Sequence, residues 1–212
     1  MSYTEEIFEL VMKGKAKLIA DKVTEALDAR EDPNVLLSEG MIAAMDELGE
    51  KFTNGEIFVP EMMVSAKAMK NGVEVLKPHL SEDATSVIGA VAIGTVAGDM
   101  HDIGKNLVAM MLESAGFEIF DLGADVPAEK FVQTVQENPQ ITIICCSALL
   151  TTTMAGMKTT IDALAAAGLR DKVKVFVGGA PITQEFCDEI GADGYGDDAA
   201  AAVRLAKEFV TA

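Results

Sequence analysis

The chain has 212 residues, half of them apolar, enough for one large or two small packed domains. A formal charge of −17 excludes a nucleic-acid grip built on phosphate neutralisation and disfavours anionic membrane surfaces. No run of about eighteen apolar residues could span a membrane; three cysteines with no CxxC give neither a disulfide framework nor a zinc or iron–sulfur ligand set; and an acidic start, where a secretion signal would be basic, points to the cytoplasm.

Residues 3 to 78 read as helix. Glu5 to Met12 is a short amphipathic piece that Gly14 punctuates. Leu18, Ile19, Val23, Ala26 and Leu27 mark a second helix by their three-to-four spacing. Asp32-Pro33 starts a third, with Asp as N-cap and Pro at the first helical position. Its apolar stripe is Leu37, Met41, Ala44, Met45, Leu48 and Phe52, and Asn54-Gly55 ends it. Pro60 opens a fourth, with Met63, Ala66, Met69, Val73 and Leu76 on one face. Short connections between these helices predict a small antiparallel four-helix bundle. Phe52 and Val59 flank the turn Thr53-Asn54-Gly55-Glu56, and Val59, preceding a proline, is biased to extended backbone. The two either fill the bundle core or form an apolar surface at one end. Met41, Met45, Met62, Met63 and Met69 suit either reading.

Residues 79–86 lose the periodicity and turn polar. A boundary there divides the chain into a helical domain, 1–84, and a second domain, 85–212. From Val87 strands alternate with helices. The strands expected are Val87–Val96, Phe117–Leu122, Ile141–Cys146, Val173–Val177 and Gly194–Tyr195. The helices expected are Ile103–Ser114, Ala128–Gln136, Thr152–Ala166, Thr183–Ile190 and Asp198–Phe209. Repeated β–α units with buried β-branched strands predict an α/β fold, a doubly wound, flavodoxin-like (Rossmann-like) five-stranded parallel sheet in the order 2-1-3-4-5. Cys145 and Cys146 lie in an apolar strand and, with Cys187, read as core.

In such sheets ligands bind beyond the carboxyl ends of the strands, at the switch point between strands 1 and 3. Strand 1 leads to Gly98-Asp99-Met100-His101-Asp102-Ile103-Gly104, strand 3 to Ser147-Ala148-Leu149-Leu150-Thr151, strand 4 to Gly178-Gly179-Ala180-Pro181 and strand 5 to Gly196-Asp197-Asp198. No GxGxxG follows strand 1 and no GxxxxGK[ST] is present, so a dinucleotide or P-loop site is excluded. A phospho-receiver would need an aspartate where Ser147 stands. Hydrolysis by Ser147 and His101 lacks a Gly-x-Ser-x-Gly elbow.

A metal ligand fits better. Asp99 and His101, two apart in an extended loop, can project to the same side. The carboxylate would then fix one ring nitrogen while the other faces a metal, and Ser147 could extend the relay. A lone histidine cannot hold a free ion, so the remaining ligands would come from a macrocycle. Gly104, Gly178 and Gly179 would let such a bulky group approach the backbone. Taken alone, Asp-x-His-x-x-Gly reads by default as a buried or capping histidine; Ser-x-Leu after strand 3 and Gly-Gly after strand 4 reverse that reading.

Asp99-x-His101-x-x-Gly104, Ser147-x-Leu149 and Gly178-Gly179 together resemble the three-part signature of cobalamin-binding domains. Leu48-Gly49-Glu50-Lys51-Phe52 and Gly55-Glu56-Ile57-Phe58-Val59-Pro60-Glu61 resemble the helical cap of methionine synthase and of small corrinoid methyl carriers. The resemblance spans nearly the whole chain. It implies cobalamin or a related corrinoid as cofactor, cycling between methylcob(III)alamin and cob(I)alamin, with His101 as the axial cobalt ligand. It implies that Asp99 and Ser147 tune that ligand. Gly98, Met100, Asp102 and Ile103 complete the loop at the cofactor. Gly104, Leu149, Thr151, Gly178 and Gly179 shape a pocket for the nucleotide tail. Phe52 and Val59 cover the methyl face, with valine in place of a longer aliphatic residue as the one departure.

The implied function is a methyl carrier of a methylamine, methanol or betaine system. It would work between a donor-specific methyltransferase and a second methyltransferase that acts on tetrahydrofolate or coenzyme M. A reductive activator of oxidised corrinoid would be a third partner. The chain would not be a catalyst by itself. A mutase small subunit shares the rim motifs but lacks a helical methyl-face cap. A cobalamin-sensing regulator would carry a basic DNA-binding segment, whereas the first 80 residues here are acidic.

Overall fold

The computed structural model describes residues 1–80 and 87–211. The chain divides into two compact units, Met1–Ser86 and Val87–Ala212. The expected boundary at residue 84 lies outside the described residues.

In the first unit, α1 (Tyr3–Met12) begins at a capping box: Glu5 N–H donates to Ser2 Oγ at 3.2 Å and Ser2 N–H to Glu5 Oε2 at 2.8 Å. It buries Ile7 and Val11. α2 (Ile19–Asp28) buries Ile19, Val23 and Ala26. Asp32 caps the next run, accepting from Asn34 N–H at 2.8 Å, with Pro33 in the first turn as expected. That run is not uniformly α. It passes from α3 (Pro33–Val35) through a π-helical segment, Leu36–Ile42, into α4 (Ala43–Thr53). The π repeat links i with i+5. It therefore aligns Leu36 with Met41, and Leu36 rather than the expected Leu37 is buried, with Gly40, Ala44, Met45 and Leu48. Gly40 meets α1, where a Cβ would lie 3.2 Å from Ile7 Cγ2.

α5 (Val59–Leu76) starts where Phe58 N–H donates to Glu61 Oε2 at 2.7 Å. Its buried face also differs by one residue from the expected stripe. Met62 is fully buried, whereas Met63 is 48 % exposed. Gly72 replaces Val73 on that face because Met41 packs directly on it; a Cβ there would come within 2.6 Å of Met41 Cε. His79 sits in a short 3₁₀ turn, Lys77–His79.

The second unit is a five-stranded parallel sheet in the expected order, β2-β1-β3-β4-β5. The strands are β1 (Ala90–Thr95), β2 (Glu118–Asp121), β3 (Ile141–Ser147), β4 (Lys174–Gly178) and β5 (Gly194–Gly196). β1 starts three residues later than expected because pairing begins at Ala90, opposite Ile141, and Val87 and Ile88 remain exposed. The helices are α6 (Ile103–Ser114), α7 (Ala128–Glu137), α8 (Ala155–Ala166), α9 (Gln184–Ile190) and α10 (Ala199–Thr211). Central strands β1 and β3 are almost wholly buried, as strands covered on both faces must be. Phe131 of α7 fills the space above Gly94, where a Cβ would lie 2.8 Å from its ring. All three cysteines are free and buried, and burial pushes the Cys145 thiol up to about 12. They are core, as their sequence context suggested. Among the described residues no helix is long and apolar enough to cross a membrane.

Candidate functional site

β1 and β3 are neighbours, and the chain leaves them toward opposite sides of the sheet. Their carboxyl ends therefore form the switch-point crevice. The loop after β1 is pinned on several sides. Val96 N–H donates to Ser147 O at 3.0 Å, and Thr95 Oγ1 to His101 O at 3.0 Å. Gly98 adopts φ +82°, a left-handed turn that glycine tolerates, and its N–H donates to Asp125 Oδ1 at 2.7 Å.

This turn drives Asp99 into the protein, where it is fully buried. Its Oδ1 accepts from His101 N–H at 3.0 Å and stands 2.7 Å from His101 Nδ1. Its Oδ2 accepts from Leu149 N–H at 2.8 Å, Leu150 N–H at 3.2 Å and the Thr153 hydroxyl at 2.7 Å. Burial by itself raises the pKa of this carboxyl. The hydrogen bonds from His101 N–H, Leu149 N–H, Thr153 and the His101 ring outweigh it and hold the group well below the usual carboxylate range. Asp99 is thus an anion, and an ionised carboxylate only accepts hydrogen bonds. The proton between the two side chains therefore belongs to His101 Nδ1. In that neutral tautomer Nε2 is the nitrogen with the available lone pair, on a ring whose side chain is 51 % exposed.

Around this imidazole the rim leaves large apolar groups in solvent: Met100, Ile103, Leu149 and Leu150. Beside it lies a cavity of about 310 Å³ between the sheet and helices α6 and α10. Gly104, Ser147, Gly178 and Gly179 line it, together with apolar Leu107 and Phe176.

The sequence-derived residues separate into groups here. Asp99, His101 and the Leu149 backbone form one hydrogen-bonded cluster. Ser147 is not part of it. It lines the cavity, and the hydroxyl that reaches Asp99 is that of Thr153. Thr151 is exposed on the rim and is not among the cavity's lining residues. Asp102 precedes α6 without a side-chain capping bond. The glycines also divide. At Gly179, φ is +130° and a Cβ would lie 1.9 Å from Ala148 O; at Gly178 it would lie 3.1 Å from Gly196 O. These two serve the close approach of the chain's own backbone rather than that of a ligand. Of Gly104, Gly178 and Gly179, Gly104 is the one at which a Cβ would meet open space. Phe52 and Val59 belong to the first unit, half-buried at the end of α4 and the start of α5.

Sequence reasoning missed Thr153, Asp125 and the pair Lys105–Asp121, whose ammonium and carboxylate oxygens lie 2.6 and 2.7 Å apart. The one available signal for Thr153 was the run Thr151-Thr152-Thr153 after β3. Asp125 follows β2, an edge strand whose end was not counted in the rim.

The geometry suits a metal that brings its own ligands. Among the described residues no group of three or more His, Cys, Asp or Glu side chains comes together to cage a bare ion. His101 can offer one ring nitrogen, Nε2, with the ring oriented through Nδ1 by a carboxylate.

Two family profiles match the chain, both described as B12 binding domain, one over residues 89–204 and the other over residues 3–77. A trimethylamine corrinoid protein of Methanosarcina barkeri is 44% identical over 98% of this chain and 98% of its own length. The chain belongs to the B12-binding corrinoid-protein family. Within it, a dimethylamine corrinoid protein of the same organism is 46% identical over 89% of this chain and 88% of its own length. A solved chain from the methanol:cobalamin methyltransferase complex of M. barkeri superposes on this corrinoid-protein fold with a TM-score of 0.85 and 32% identity. The match covers 99% of this chain and 80% of that one.

Proposed function

We propose that the chain carries a methyl group on the cobalt of a bound corrinoid, receiving it from a donor-specific methyltransferase and surrendering it to a second one. The bound corrinoid supplies the cobalt centre that accepts and releases the methyl group. The observation that carries this reading is His101, with Nδ1 held by buried Asp99 and Nε2 free on the rim beside a cavity. The names of its relatives support methylamines as the source of the methyl group.

His101 offers Nε2 to the metal. Asp99 fixes the ring's tautomer and makes the imidazole a stronger donor. Thr153 and the Leu149 and Leu150 amides keep that carboxylate ionised and fixed. Met100, Ile103, Leu149 and Leu150 offer an apolar shelf for the macrocycle. The cavity lined by Gly104, Ser147, Gly178 and Gly179 would hold the nucleotide tail. Phe52 and Val59 of the first unit would contribute apolar cover for the bound corrinoid. The acceptor enzyme would act on tetrahydrofolate or coenzyme M, and a reductive activator would rescue oxidised corrinoid.

The test is reconstitution with hydroxocobalamin. Wild-type protein should bind it, and the reduced form should show a nitrogen-ligated cobalt signal in electron paramagnetic resonance. His101→Ala should lose the nitrogen splitting. A colourless protein, or an unchanged spectrum in the variant, would defeat the reading.

A further inference from the structure

Lys105 lines the cavity and has no part in the cluster around His101. It is the third residue of α6 and only 2 % exposed. Its position is electrostatically unfavourable twice over. A helix N-terminus carries the positive end of the macrodipole, so a cation in the first turn is repelled. No acidic residue in that turn of α6 offsets it. An ammonium taken out of water also loses hydration that a single ion pair does not fully return. Its partner, Asp121, retains solvent: the Asp121 side chain is 43 % exposed and that of Lys105 is 1 %. A methionine would fill the same space without either penalty.

Lys105 lines the cavity, whose other ionisable wall residues include the acids Asp197 and Asp198. Among the described lining residues Lys105 is the sole cation. A corrinoid's nucleotide tail carries a phosphodiester and thus one negative charge. Bringing that charge past two aspartates into an apolar cavity is unfavourable unless a cation meets it. An ammonium has three donors on a flexible stem, and Asp121 engages it through two oxygens, at 2.6 and 2.7 Å.

We propose that Lys105 is the tail-binding cation of this site, held ready by Asp121 and shared with the phosphodiester when the tail enters. The proposal rests on the corrinoid reading above. It assigns to Lys105 recognition of the tail and not of the macrocycle. It also gives Asp121 a definite place: a carboxylate that stores the ammonium and competes with the cofactor for it.

The experiment compares two corrinoids on the full-length protein: hydroxocobalamin, which has the tail, and diaquacobinamide, which lacks it. Binding is read from the visible spectrum and by calorimetry, with no methyl transfer involved. Lys105→Met should weaken hydroxocobalamin binding by about tenfold or more and leave cobinamide binding within about twofold. Asp121→Asn, which releases the ammonium, should bind hydroxocobalamin at least as tightly as wild type. Equal losses for both corrinoids in Lys105→Met, or no loss for either, would overturn the proposal. So would an Asp121→Asn variant as weak toward hydroxocobalamin as Lys105→Met, since the pair would then serve only to fasten α6 to β2. Wild-type protein that binds neither corrinoid would remove the parent reading itself, and this one with it.

Discussion

The Thr153 hydroxyl lies 2.7 Å from Asp99 Oδ2, across 54 residues of sequence, and also 2.9 Å from Leu150 O. A hydroxyl has one proton, and the carboxylate, being charged, is the stronger acceptor. Thr153→Val keeps the shape and removes that donor. Stability should fall by about 1.5–3 kcal/mol, the usual worth of a hydrogen bond to a charged group. The Asp99 carboxyl should become easier to protonate, and Thr153→Ser should restore most of the loss. Urea melts of the three proteins check this; a valine variant as stable as wild type would count against the hydroxyl's assignment.

Acid should reach the same network. The folded protein holds the Asp99 carboxyl below its ordinary range, so the unfolded chain binds more protons in acid. Its stabilising contribution is complete above the unfolded pKa, about 3.9, and declines as pH falls further toward the folded value. Asp99→Asn places an amide among donors and should be destabilised at neutral pH. The gap between wild type and Asp99→Asn should then narrow between about pH 5 and pH 2. Chemical denaturation across that range measures the gap, and a constant difference would mean that Asp99 does not titrate in this way.

The sequence exposed the sheet more fully than the site. Strand order followed from β–α alternation and the flavodoxin-like fold it points to, and α6 begins and ends where its apolar spacing predicts. The Asp99–His101 pair was readable because two residues in an extended loop share a side. Thr153 was not readable, since its contact depends on how the chain turns after β3. Residues 151–154 form turns whose groups serve Asp99 and Leu150, and α8 consequently starts at Ala155 rather than Thr152. Periodicity also places no distinction among the rim glycines. Whether a missing Cβ admits a ligand or a neighbouring carbonyl is decided by long-range packing.

Gly179 and Gly104 make that distinction measurable. Alanine at Gly179 would meet Ala148 O at 1.9 Å on a backbone of φ +130°. Strain at such a position costs on the order of 1–3 kcal/mol, and the forced shift of two strand ends adds to it. Alanine at Gly104 meets open space in the first turn of α6 and should gain up to about 1 kcal/mol of helix propensity. Thermal melts should therefore move in opposite directions. Gly104→Ala should bind hydroxocobalamin more weakly despite its added stability, because it adds a methyl group at a residue of the cavity wall. A destabilised Gly104→Ala, or a neutral Gly179→Ala, would reverse the assignment.

The helical unit offers a test of a one-residue shift. A regular α stripe led by Pro60 puts Met63 inward, but the structure buries Met62 completely and leaves Met63 48 % exposed. The bundle was built on a π-helical segment, Leu36–Ile42, that no propensity signal announced. Met41 leaves that segment to pack on Gly72 of α5, and the face of α5 that carries Gly72 also carries Met62, Ala66 and Met69. Met62→Ala should cost about 2–5 kcal/mol, as deletion of a buried methionine does. Met63→Ala should stay within about 0.5 kcal/mol of wild type, as surface changes do. Urea denaturation followed by far-ultraviolet circular dichroism distinguishes the two. If Met63→Ala proved the more damaging, α5 would be turned by one residue, and the π segment would not set its packing.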